Sequence, residues 1–79
     1  MNTQYILYST SNCHLCEEAE SLLKQANLKW LTIEIAYSDE LLSLYGLKIP
    51  VIRHVMTNLE LSWPFSLLDI QNLSNQTIL

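Results

Sequence analysis

Positive charge is scarce in this chain. Lys24, Lys29, Lys48 and Arg53 are its only strong cations, set against eight acidic residues for a net charge of −4. They are scattered rather than gathered in a stripe, so the phosphate-neutralising surface that nucleic-acid binding needs is missing. Glycine occurs once and proline twice in 79 residues, while 49% of the residues are apolar. That balance excludes a disordered chain and suits a single domain spanning residues 1–79. No apolar run approaches the length of a membrane span, and residues 1–10 lack the charged start and cleavage pattern of an export signal. The expected compartment is therefore the cytoplasm, and the glycosylation patterns at Asn72-Leu73-Ser74 and Asn75-Gln76-Thr77 are read as chance.

Cysteine is scarce too, limited to Cys13 and Cys16. Should they pair, the loop they close is too short to constrain the unfolded chain much, so a stabilising framework is a poor reason for them. Reactivity is the better one: in a reducing compartment a lone Cys-x-x-Cys is redox-active or metal-binding more often than structural. Its context sharpens this. Ser11-Asn12-Cys13-His14-Leu15-Cys16 lies directly after an apolar run and directly before an amphipathic helical pattern. A helix opening on Cys13 presents unpaired backbone N–H groups and the positive end of its dipole, both of which favour a thiolate there.

The remaining patterns order the elements. Gln4-Tyr5-Ile6-Leu7-Tyr8 reads as a strand, and Leu15, Ala19, Leu22 and Ala26, widened by Leu23, as a helix fading near Asn27. Trp30, Thr32 and Glu34 alternate with Leu31, Ile33 and Ile35, a second strand. Ser38 is placed to cap a second helix, with Asp39 and Glu40 in its first turn and Gly46 as its stop. Pro50 opens a third strand, Val51 to Val55, and Leu59-Glu60-Leu61 pairs back after a turn at Met56-Thr57-Asn58. Ser62-Trp63-Pro64 predicts the start of a last helix running to about Leu73, with residues 74–79 fraying. The result is an α/β domain of order β-α-β-α-β-β-α, in which a four-stranded mixed sheet is flanked by three helices.

That order, with Cys-x-x-Cys closing the first β-α turn and Lys48-Ile49-Pro50-Val51 opening the third strand, resembles the thioredoxin superfamily. Over about residues 4–73 the short chain is similar to glutaredoxins and to small bacterial glutaredoxin-like redoxins. The resemblance implies Cys13 as exposed nucleophile, Cys16 as partly buried resolving thiol, and a redox-active Cys13–Cys16 disulfide. It implies Pro50 as a cis-proline across from the dithiol, with the backbone of Ile49 free to pair with an extended substrate. The chain also departs from the pattern. Thr10 stands where glutaredoxins carry Lys, His14-Leu15 where they carry Pro-Tyr, and Lys48-Ile49-Pro50 where they carry Thr-Val-Pro. Leu61-Ser62-Trp63-Pro64-Phe65 replaces the Gly-Gly and Asp that grip glutathione. The implied activity is disulfide reduction in electron transport by a monomer with no bound cofactor, serviced by an external thiol reductant (glutathione or a reductase), and glutathione dependence is not carried over by these residues.

Several side chains keep two readings. His14 either tunes the thiolate or is a tolerated surface residue. Lys48 either meets the thiolate or a substrate carboxylate, or is simply solvated. Trp63 and Phe65, if exposed beside Pro50, form an apolar rim suited to a protein disulfide. His54 alternates with Val51, Arg53 and Val55 in a strand and could simply face solvent, while Trp30 is read as packing. Zinc on Cys13, His14, Cys16 and His54 has suitable ligand types, yet adjacent Cys13 and His14 point to different sides of a helix start, so no metal site is assigned. A metal or iron–sulfur carrier and a redox-inert interaction module remain the alternative functions.

Overall fold

The computed structural model describes residues 4–75. Strand β1 (Tyr5–Ser9) leads through a short loop to helix α1 (His14–Gln25), and strand β2 (Leu31–Glu34) returns parallel to β1 with Ser9 opposite Glu34. After a 3-10 turn (Ile35–Tyr37) come helix α2 (Asp39–Tyr45), strand β3 (Val51–His54), strand β4 (Glu60–Ser62) and helix α3 (Leu67–Asn75). The four strands are arranged β2-β1-β3-β4, with β3 antiparallel to both its neighbours. This is the thioredoxin-like α/β arrangement that the element order implies.

Strand alternation sends residues to two covered faces. On one face Tyr5, Leu7 and Ile52 pack with Ala19 and Leu23 of α1 and Ile70 and Leu73 of α3. On the other, Tyr8 and Val51 pack with Ile35 and with Tyr45 of α2. Tyr45 stacks on Tyr8 with ring centroids 4.2 Å apart and donates its hydroxyl to the Glu60 carboxylate. Burial, reinforced by that carboxylate, holds the Tyr45 phenol above its ordinary range.

Helix ends follow local chemistry. Ser38 Oγ accepts the Leu41 N–H at 3.2 Å, which caps α2. Helix α1 ends in a Schellman closure, with Leu28 N–H donating to Leu23 O at 3.1 Å and Asn27 N–H to Lys24 O at 2.9 Å. Asn27 takes the left-handed φ of 62° that this closure needs.

The structure corrects several expectations. The buried line of α1 is Cys16, Ala19 and Leu23, with Leu22 and Ala26 at its flank, whereas Leu15 is 41% exposed. Ile35 leaves the β2 ladder for the 3-10 turn, where the Glu34 carboxylate receives the Ala36 N–H. Gly46 is right-handed, with a φ of −55°, and so caps α2 without a left-handed stop. Ser62 and Trp63-Pro64 do not start the last helix, because Ser62 still pairs with Val51. Ser66 and Asp69 do so instead: each receives the other's backbone N–H, at 3.1 and 2.8 Å. Ser74 and Asn75 remain helical, and the rest of the tail expected to fray lies outside the described residues.

Candidate redox site

Strand β1 ends at Ser9, and the chain reverses through Asn12, whose φ of 58° is left-handed. Cys13 is the N-cap of α1, extended at φ −107° and ψ 103°, and its Sγ accepts the Cys16 N–H at 3.1 Å. Its carbonyl takes the Glu17 N–H at 3.1 Å, the first helical bond. Cys13 and Cys16 form a disulfide, with Cα atoms 5.2 Å apart. The pair is asymmetric: Cys13 is half-buried, while Cys16 is 2% exposed. A thiolate at Cys13 in the reduced pair would stand at the helix end where free amides and the dipole favour negative charge.

Flanking charges are modest. His14 is exposed and lies 3.2 Å from Glu18 through Nε2, an i,i+4 pair on the outer surface of α1. Glu34, at the end of β2, approaches from the other side. Its Oε1 accepts the Ser11 N–H at 3.0 Å and its Oε2 the Ala36 N–H at 3.0 Å. The Ala36 amide, then the Thr10 side chain and the Ser11 amide, hold the Glu34 carboxyl below its ordinary value. Local sequence offers no signal for this role. It follows from parallel pairing, which sets Glu34 opposite Ser9 although 23 residues separate it from Ser11.

Pairing of Tyr8 with Val51 brings the start of β3 to the end of the sheet where the cysteine loop leaves. The Ile49–Pro50 peptide is cis, and so is Trp63–Pro64 just past the end of β4. The two segments are joined by Trp63 N–H donating to Pro50 O at 3.1 Å. Pro50 is buried, Ile49 half-buried and Lys48 exposed. The Ile49 backbone is not wholly free, because its N–H donates to Tyr45 O at 3.0 Å, as does the Lys48 N–H at 2.8 Å.

The aromatic pair divides. Trp63 is half-buried, but Phe65 is only 7% exposed and belongs to the core beneath α1 and α3, in edge contact with Trp63 at 5.0 Å. An apolar rim at this end therefore rests on Trp63, not on Phe65. Trp30 packs against the same core and donates Nε1–H to Thr32 Oγ1 at 3.0 Å.

His54 does not face solvent. It is fully buried at the far end of the sheet, opposite Tyr5, with its ring edge-on to that tyrosine at 4.9 Å. Its Nδ1 receives the Met56 and Thr57 N–H groups at 3.1 and 3.3 Å, so the ring proton resides on Nε2, which meets no partner among the described residues. The four candidate zinc ligands are thus dispersed, and no group of three or more His, Cys, Asp or Glu among the described residues is arranged to hold a metal. No helix among these residues is long and apolar enough to cross a membrane.

Residues 4–75 match the family described as Glutaredoxin-like domain (DUF836). The chain belongs to this glutaredoxin-like family. The X-ray structure of protein XcR50 from X. campestris is similar to this domain at 34% identity and a TM-score of 0.86, covering 92% of this chain and 97% of that one. Protein Ne2328 from Nitrosomonas europaea is similar at 28% identity and a TM-score of 0.69, covering 92% and 98%. A mutant of the thioredoxin-like protein BC3987, 16% identical with a TM-score of 0.69 over 94% of this chain and 97% of that one, shares the fold. No curated protein matches the chain.

Proposed function

We propose that this glutaredoxin-like domain is a small dithiol–disulfide oxidoreductase acting through Cys13 and Cys16. The supporting observation is the asymmetry of the pair: Cys13 is reachable at a helix N-cap, and Cys16 is buried one turn away, bonded to it. In the reduced domain the Cys13 thiolate attacks a substrate disulfide, R–S–S–R′. A Cys13–S–S–R bond forms, the substrate bond breaks, and R′S⁻ leaves. The Cys16 thiol, losing its proton to solvent, attacks Cys13 Sγ and expels RS⁻. The domain ends oxidised as Cys13–Cys16, and two electrons have passed to the substrate. An external thiol reductant must return them.

The reactive thiol is supported electrostatically by the α1 terminus and opposed by the carboxylates of Glu17 and Glu18, the latter paired with His14. A protein reductant fits better than glutathione, since Leu61–Phe65 supplies no glycine-rich grip and Phe65 is committed to the core. Substrate contacts are assigned to His14, Lys48, Ile49, Pro50 and Trp63. The proposed compartment is the cytoplasm, where reducing conditions keep such a dithiol cycling.

Cysteine substitution tests the reading. Cys13→Ser should abolish reduction of a protein disulfide such as insulin. Cys16→Ser should retain attack but accumulate a mixed disulfide, visible by intact mass. Full activity in Cys13→Ser would assign the nucleophile elsewhere. Visible absorption and bound metal in fresh protein would favour the carrier alternative, and an unreactive dithiol the inert module.

A further inference from the structure

Residues 10–12 between β1 and α1 lie outside the ladder and the helix, yet they must deliver Cys13 to the cap position. Something has to hold them. The Glu34 carboxylate is bonded to this loop by one oxygen, at Ser11 N–H, and to the 3-10 turn by the other, at Ala36 N–H, both at 3.0 Å. This single side chain thus ties the cysteine loop to the end of β2, across the parallel β1–β2 pair.

We propose that Glu34 is the positioning residue of the redox loop: its bridge from Ser11 to Ala36 holds Cys13 on the N-terminus of α1. The inference deepens the exchange reading and rests on Cys13 being the reactive thiol. Glu34 touches neither sulfur through any hydrogen bond and acts through the loop. Without the bridge, residues 10–12 gain conformations in which Cys13 leaves the cap, and its thiolate loses the amide contact that Sγ now makes with Cys16 N–H.

The sign of the effect separates this role from plain electrostatics. A nearby carboxylate disfavours a thiolate, so a Glu34 acting only by charge would make Cys13 more reactive when removed. A tether does the reverse. The other charged groups near the loop, His14, Glu17 and Glu18, stay constant in the comparison.

The test is the pH profile of iodoacetamide alkylation of the reduced domain, mapped to Cys13 by peptide mass, for the native chain, Glu34→Ala and Glu34→Gln. Removing the bridge should move the Glu34→Ala midpoint upward by about half a pH unit or more, slowing alkylation near pH 7 about threefold. Glu34→Gln keeps the shape and one acceptor oxygen, and should shift the same way by less. A change confined to global stability leaves this profile in place when it is read far below the melting temperature. Should Glu34→Ala not fold, Glu34→Gln carries the comparison. An unchanged profile, or faster alkylation in either variant, overturns the tether. A native Cys13 that alkylates no faster than an ordinary free thiol overturns the exchange reading itself, a distinguishable failure.

Discussion

His54 shows how a single residue's burial depends on what covers the sheet. Alternation along β3 correctly separates Val51 and Arg53 from Ile52 and His54, but it cannot say that both faces are covered. With α1 and α3 over one face and α2 over the other, His54 is fully buried, and its Nδ1 closes the turn after β3. Replacement by Ala should leave a cavity and cost about 2–3 kcal/mol. The urea midpoint should fall with an unchanged slope. Phe65 escaped the same reading because its fate depends on where the chain goes after Pro64. Cys13 was legible, since an N-cap is decided by the neighbouring few residues.

At the scale of the element, local capping chemistry was the most legible feature. Ser38 followed by Asp39 and Glu40 announces α2, and the hydroxyl does accept the Leu41 amide. Ser38→Ala should destabilise the domain by about 1 kcal/mol, read as a lower denaturation midpoint, and Ser38→Asp should largely restore it. Helix α3 was misplaced for a related reason. Pro64 at a first helical position satisfies one rule, but Ser66 and Asp69 satisfy a stronger one, a reciprocal pair of side-chain-to-backbone bonds. Strand β2 stops before Ile35 because the Glu34 carboxylate turns back on Ala36, a competition between side chain and ladder that periodicity does not register.

For the whole molecule, element order and the two motifs near Cys13 and Pro50 were enough to read a four-stranded mixed sheet with a parallel β-α-β unit and an antiparallel edge, though not the strand order. What they could not supply was the long-range bridge from Glu34 to the cysteine loop, which exists only once β1 and β2 pair in register. That bridge gives stability a pH dependence with a definite sign. The Glu34 carboxyl is held below its ordinary value of 4.5, so its contribution is present above that pH and fades as pH falls through the lower folded-state value. Native protein should therefore be more stable than Glu34→Gln at pH 7, with the gap closing below about pH 4.5. Denaturation midpoints across pH 3–7 would check it; a gap of constant size would deny the bridge a role in stability.

In the proposed exchange, Cys13 and Cys16 form a reversible redox couple. The most direct measurement is an equilibrium titration of the purified domain against glutathione buffers, each point quenched in acid and read by intact mass. We predict a single two-electron transition, assigned by peptide mapping to Cys13–Cys16, with a potential that places the domain among reductants or oxidants. A pair that stays reduced or oxidised across all buffers, or one held by stoichiometric metal, would contradict the claim.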